Sequence, residues 1–286
     1  MVAKLLWSWY FMRMAKTSGK NKAGTGLEGQ FNFVEGSYLE STSRPLYALL
    51  FLLPLVGLYE AGTQLVSADQ IAEAPRIVAF TWLMGLAEWI GMDRSMAWAF
   101  PGLVVVIILL CWHLSSQNPW RVRPGWIGWM GLESLVLTVP LFALGAVMHS
   151  AESCVVFAVV NDGGVAAGMQ EYMAKIVTSI GAGIYEELMF RLILVGLILM
   201  VLEDVLKVRS LIAVAIAVLV SAVLFAVHHY VGLHGGKIVR LEEVKVGSFV
   251  FRMVAGIYFA VIFRYRGYGI TAGAHIAYDI IYFTAS

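Results

Sequence analysis

The sequence predicts an all-α fold, a polytopic bundle of membrane-spanning helices. Three observations carry that expectation. Hydrophobic residues make up 60% of the 286-residue chain and charged residues 14%, with a mean hydropathy of +0.79; a soluble domain runs nearer about 45–50% apolar and 25% charged. Apolar runs of about 20 residues recur, which suits helices that cross a bilayer and not the short alternating segments of an outer-membrane barrel. The nine tryptophans mostly flank those runs, as aromatic belts do at the membrane interface. A net charge of +1 gives no electrostatic footprint for a nucleic-acid partner, so membrane lipids are the expected surroundings. Cys111 and Cys154 are too few for a disulfide framework, and Cys111, inside an apolar run, reads as a small packed hydrophobe.

Residues 1–44 form a mixed polar leader. Met1 to Met14 combines Lys4 and Arg13 with aromatics and reads as an interfacial amphipathic segment and not a cleaved signal. The basic, glycine-containing stretch 16–26 has the composition of a disordered segment. Residues 46–66 are the first span, with Pro54 inside it, as membrane helices tolerate. Residues 77–92 contain Glu88 and are short for a crossing. Residues 98–113 and 126–148 are the next spans, the latter holding Glu133 and Pro140, and 149–170 is a polar loop. Residues 171–202 form a helix too long for one straight crossing, with Gly181 and Gly183 able to allow a bend. Residues 210–230 span again, 233–247 are a polar loop, and 248–263 and 268–283 are the last two spans, joined by a turn at 264–267. If 77–92 stays interfacial or re-entrant and the N-terminus is cytoplasmic, most basic residues, among them Arg44, Arg121, Arg123, Lys207, Arg209, Arg264 and Arg266, fall on the cytoplasmic side, as the positive-inside rule requires. The count is then seven crossings, or eight if 77–92 crosses. The chain divides into a cytoplasmic, partly disordered leader (1–44), accessory transmembrane helices (45–170) and a C-terminal core (171–286). The expected location is a multi-pass position in a bacterial plasma membrane.

Charge inside these runs marks the candidate site, because an ionisable side chain at bilayer depth costs a few kcal/mol or more. The first cluster is Glu186-Glu187-x-x-x-Arg191. Glu187 and Arg191, at i and i+4, lie about 40° apart on a helix in the favoured acid-before-base order and neutralise each other. Glu186 projects about 140° from Arg191 and is the carboxylate left over. The second cluster is Phe225-Ala-Val-His228-His229, at the end of the following helix. The third is His275-Ile-Ala-Tyr-Asp279, with His275 and Asp279 on one face.

The order Glu-Glu-x-x-x-Arg, then Phe-x-x-x-His, then His-x-x-x-Asn/Asp resembles the CPBP family of intramembrane proteases, which comprises Rce1-type CAAX prenyl endopeptidases and bacteriocin-processing (Abi) enzymes. The resemblance covers residues 171–283 and falls on Glu186, Glu187, Arg191, Phe225, His229, His275 and Asp279. The last position is often Asn in the family and is Asp279 here. The resemblance implies an endopeptidase that cleaves a membrane-associated peptide or protein near its C-terminus, the substrate being lipidated or carrying a C-terminal membrane signal.

The residues fit that chemistry. Peptide hydrolysis needs an activated water and a stabilised oxyanion. A desolvated, unpaired Glu186 suits a general base, His229 can share its proton or position the water, and His275 and Asp279 can donate to the oxyanion. Glu187, Arg191 and Phe225 read as structural support, with His228 and Glu133 as outer residues near the site. No cofactor is favoured. The alternative is a zinc ion held by Glu186, His229 and His275, although no His-Glu-x-x-His pair fixes two ligands on one helix. Two other classes compete with the peptidase reading. One is a non-catalytic immunity or regulatory protein on the same scaffold. The other is a proton-coupled transporter, for which the internal repeats such proteins often show are not evident.

Overall fold

The computed structural model describes residues 34, 36–65, 78–93, 99–149, 165–234, 237–240 and 243–285. The expectations for residues 1–33, and for most of the loop after residue 149, lie outside the described residues. Helices dominate: α1 (Tyr38–Thr42), α2 (Pro45–Leu65), α3 (Val78–Trp89), α4 (Phe100–Ser116), α5 (Pro124–Val136), α6 (Val139–His149), α7 (Val165–Glu187), α8 (Gly196–Leu199), α9 (Ser210–His228) and α10 (Val246–Ala285). Two π-helical segments, Leu188–Val195 and Met200–Val205, join α7 and α8 into one long element. Among the described residues, four stretches are long and apolar enough to cross a membrane, namely Pro45–Thr63, Pro124–Met148, Ser210–His228 and Val246–Phe283, and Phe100–Ser116 is a shorter apolar helix. The protein is a helical membrane protein. At 12 residues α3 is about 18 Å long, well short of the ~30 Å hydrocarbon core.

Two local features depart from the sequence expectations, and a third meets one of them. The polar loop after α9 contains a short antiparallel hairpin, β1 (Val231–His234) with β2 (Lys237–Arg240), in the register Val231↔Arg240 to His234↔Lys237. The hairpin is a local addition to an otherwise all-helical fold. Alternating Val231/Leu233 and Ile238 are the physical reason, since period-two patterning favours a strand pair. Next, α7 runs through Gly181 and Gly183 without a break. Gly183 serves close packing instead: a Cβ there would lie 2.8 Å from both the Ala272 carbonyl oxygen and the Ile276 nitrogen. As expected from the turn at 264–267, α10 consists of two helical arms that meet at Gly267, whose φ of +77° is a left-handed value that only glycine adopts freely. The chain reverses there. A straight helix would hold Phe259 and His275 about 24 Å apart, yet their rings stack with centroids 4.7 Å apart.

This reversal is clamped from outside. Arg266, at the turn, pairs with Glu133 of α5 and donates to the Leu39 carbonyl at 2.7 Å and the Thr42 hydroxyl at 2.8 Å. The Tyr38 hydroxyl donates to Glu133 at 2.7 Å; burial and the Glu133 carboxylate hold this phenol well above its ordinary pKa, so it stays a donor. Glu133, expected near the site, is thus committed to a clamp about 13 Å along the helix axis from His275, the rise of nine residues. The apolar core lies between α2, α4, α7 and the second arm of α10, where Leu52, Leu109, Ile184, Tyr185 and Leu188 are fully buried. Tyr59, Phe80 and Tyr185 meet edge to face at 5.2–5.3 Å between centroids. Leu103, Leu114, Leu211 and Leu219 face outward, as the lipid side of such a bundle requires.

Candidate active site

Glu186 and Glu187 close α7, and the switch to π-helix begins at Leu188. In a π-helix the backbone bonds run i→i+5, which leaves carbonyl groups that a neighbouring helix must satisfy in an apolar bundle. Ser221 of α9 does this, its hydroxyl donating to the Phe190 carbonyl at 2.8 Å. On the other side the Tyr268 hydroxyl donates to the Ile184 carbonyl at 2.8 Å. The segment carrying both glutamates is thus fixed by α9 and by the second arm of α10.

The buried charges form a connected set. Arg191 has no exposed surface, and its Nε lies 3.1 Å from Glu187 Oε2. Its Nη2 donates to the Gly256 carbonyl at 3.3 Å. Its guanidinium sits 4.1 Å over the Phe225 ring and 5.6 Å from the Phe259 ring, a cation–π arrangement that favours a desolvated cation. Phe225 therefore supports the site by carrying Arg191. Glu187 does more than neutralise Arg191, since its Oε1 accepts from His275 Nδ1 at 2.8 Å. The other His275 nitrogen, Nε2, lies 3.5 Å from Asp279 Oδ2 and 3.9 Å from Glu186 Oε2. Nδ1 of His275 thus donates to Glu187, while Nε2 faces the Asp279 and Glu186 carboxyl groups across a longer gap.

Glu186 is buried, with its two oxygens in different surroundings. Oε1 lies 3.2 Å from His228 Nε2. Oε2 is buried without a hydrogen-bond partner. His229 stands just behind, its ring centroid 4.0 Å from that of His228. Each of these two histidines directs Nδ1 at the Phe225 carbonyl oxygen, that of His229 at 2.9 Å. The structure thus brings Glu186, Glu187, Arg191, Phe225, His229, His275 and Asp279 into one cluster. It adds His228, expected in an outer position, as the histidine in direct contact with Glu186; the α-helix ends at His228, and the last turn swings that ring toward α7. Phe259, stacked on His275, and Ser221 and Tyr268, whose hydroxyls donate to backbone carbonyls, carried no signal of their own in the sequence.

A metal set of Glu186, His229 and His275 does not match the geometry, because both His275 nitrogens are turned to carboxylates. The three donors that do converge are Glu186, His228 and His229, whose ligand atoms lie within 4.8 Å of one another. With each Nδ1 on a carbonyl, as metal-ligating histidines usually are, these residues fit a divalent ion.

The cluster lies within the one segment that a comparison with known families picks out. Residues 169–281 match the family model described as type II CAAX prenyl endopeptidase Rce1-like. This segment is Rce1-like. The match begins in α7 and ends in the second arm of α10, so it takes in all three motif clusters and none of α1–α6. No curated protein and no solved structure matches the chain significantly.

Proposed function

We propose that the protein is an intramembrane endopeptidase in which Glu186 activates water, and that its substrate is a membrane-associated chain cut near its C-terminus. The observation that carries this reading is Glu186 Oε2, a buried oxygen without a hydrogen-bond partner, 3.9 Å from His275 Nε2. A buried acceptor left open costs about 1–3 kcal/mol, and it is the atom that would take a proton from attacking water. The resulting oxyanion would accept from His275, with Asp279 beside it, while His229 borders the water. The proton held on Oε2 then passes to the leaving amine as the C–N bond breaks. A carboxylic acid and an amine are released, and the site is restored. The Rce1-like match supports a substrate ending in a CaaX sequence, whose cysteine carries a prenyl chain; that chain would anchor it in the surrounding lipid.

The same reading places seven crossings in the bundle: α2, α4, α5–α6, the α7–α8 element, α9 and the two arms of α10, with the N-terminus cytoplasmic and α3 interfacial. The helices before residue 170 act as accessory elements that shape substrate access to a core formed by 171–286. A divalent ion, if bound by Glu186, His228 and His229, would supply a polarised water in place of the free carboxylate. The metal-free glutamate is the mechanism proposed.

The test reconstitutes wild type and Glu186→Gln in lipid vesicles with a farnesylated CaaX peptide, and follows release of the C-terminal fragment by mass spectrometry, with and without chelator. Loss of cleavage by about 10²- to 10⁴-fold in the variant, and no effect of chelator on wild type, are the expected results. Equal cleavage by the variant refutes the role of Glu186. Cleavage abolished by chelator and restored by zinc refutes the metal-free mechanism. A wild type that cleaves nothing points to the non-catalytic scaffold.

A further inference from the structure

A substrate cut near its C-terminus brings its own terminal carboxylate, and the cluster around Glu186 is badly suited to receive it. Glu186, Glu187 and Asp279 already gather three carboxyl groups around His228 and His275. The cation among them, Arg191, has no exposed surface and is held by Glu187. An anion taken out of water needs a cation or donors of its own. Two residues beside the cluster supply them. Arg252, on the first arm of α10, is half-buried, and its guanidinium carbon lies 4.9 Å from the centre of the Tyr230 ring. It is close enough to His229 to act on that ring electrostatically. Tyr230 is only 4% exposed, and its hydroxyl has no hydrogen-bond partner among the described residues. A buried donor left open in this way is uncommon in a folded protein and calls for a partner.

The spacing along α10 fits such a role. Residues 252, 256 and 259 share one face of the helix, at i, i+4 and i+7. Two of them already touch the site: the Gly256 carbonyl accepts from Arg191, and Phe259 stacks on His275. Arg252 is therefore set about 10 Å along the helix from the ring that carries the oxyanion donor, the rise of seven residues. A CaaX sequence has three residues beyond its cysteine, and in extended form they reach about 10 Å. We infer that Arg252, with the Tyr230 hydroxyl, binds the C-terminal carboxylate of the substrate and so sets how far from the chain end the cut falls. This rests on the peptidase reading above. With the cysteine carbonyl at His275, the chain end arrives at Arg252. A guanidinium presents five N–H donors in a fork that matches a carboxylate, so it can hold the anion by two bonds while its face stays on the ring. The arrangement selects a free chain end over an internal loop, and a three-residue tail over a longer one.

The experiment uses the full-length protein in nanodiscs and a farnesylated CaaX peptide whose scissile amide is replaced by an uncleavable ketomethylene group. The peptide is made with a terminal carboxylate and with a terminal amide, and affinity is read by fluorescence anisotropy. Wild type should bind the acid about 10- to 100-fold more tightly than the amide, the worth of a charge-assisted pair. Arg252→Gln should bind the two forms alike, Arg252→Lys should keep part of the preference, and Tyr230→Phe should reduce it. Acid and amide are compared on the same protein, so a variant that is merely less stable does not imitate the effect. A wild type indifferent to the terminal group overturns the inference, as does an Arg252→Gln protein that keeps the wild-type preference. A tail lengthened by two residues should lose the preference for the acid; its retention overturns the spacing argument. Cleavage of the ordinary amide-linked peptides separates this inference from the peptidase reading. An Arg252-dependent acid preference in a wild type that cleaves nothing supports the carboxylate site and sinks the peptidase. Cleavage of acid and amide with equal kcat/KM sinks the carboxylate site and leaves the peptidase standing.

Discussion

Replacing Gly183 by alanine tests whether the site depends on how closely two helices approach. Gly183 lies one turn before Glu187, and its missing side chain lets α7 touch the second arm of α10. A Cβ there would stand 2.8 Å from the Ala272 carbonyl oxygen and the Ile276 nitrogen, and 2.4 Å from Ile276 Cγ1. The Ile276 side chain can turn aside, but the two backbone atoms cannot. To reach an ordinary contact near 3.4 Å the arm must retreat by about 0.6 Å. His275 is adjacent to Ile276, so its 2.8 Å bond to Glu187 would stretch to about 3.4 Å, beyond the usual range for a hydrogen bond. Overpacking of this kind costs about 1–3 kcal/mol, and a displacement of a fraction of an ångström in a catalytic group lowers kcat by on the order of tenfold. Gly57→Ala is the control, because nothing lies within 4 Å of its added Cβ, and alanine is favoured over glycine in a helix by up to about 1 kcal/mol. Scanning fluorimetry in detergent should show Gly183→Ala melting several degrees below wild type and Gly57→Ala at or above it. A Gly183→Ala protein that melts with wild type and cleaves at its rate would refute the claim that this approach sets the His275–Glu187 geometry.

Two further substitutions probe the buried charges. Arg191→Met should destabilise the protein by about 3–5 kcal/mol, the cost of leaving Glu187 buried without its cation, read by denaturant titration in micelles; adding Glu187→Gln should cost less than the two changes summed, and strict additivity would argue against the pair. Asp279→Asn keeps the shape beside His275 and should retain cleavage within about tenfold, whereas a loss beyond about 10³-fold would show that the carboxylate charge itself is required.

Hydropathy made the spans at α2, α9 and α10 legible, because burying or lipid-solvating about 20 apolar residues leaves few alternatives. The cost of charge at that depth picked out Glu186, Glu187, Arg191, His275 and Asp279 before any coordinates. What the sequence concealed were facts about distant partners. Glu133 looked like a lone buried acid because its cation, Arg266, is contributed by a turn far along the chain. Gly183 looked like a hinge because nothing local shows that Ala272 and Ile276 lie against it. The angular argument that separated Glu186 from Arg191 assumed 3.6 residues per turn throughout, and from Leu188 onward the helix is π, stabilised by a hydroxyl from another helix.

The choice between His228 and His229 was the least legible of all, and the reason is instructive about the mechanism. Pattern spacing can say that a histidine lies one turn after Phe225. It cannot say which of two adjacent rings turns toward α7, because that depends on where the helix stops. The α-helix ends at His228, and a carbonyl that the next turn would have used is left to accept from two imidazoles instead. One backbone oxygen thereby orients both rings. The peptide group of Phe225 orients the histidines while its side chain carries Arg191, which in turn holds Glu187 and, through it, His275. Glu186, Glu187, Arg191 and His275 are thus linked to the turn at 225–229, so a shift of that turn would move them together. This explains why Glu186, Glu187, Arg191, His275 and Asp279 gather at one end of α9.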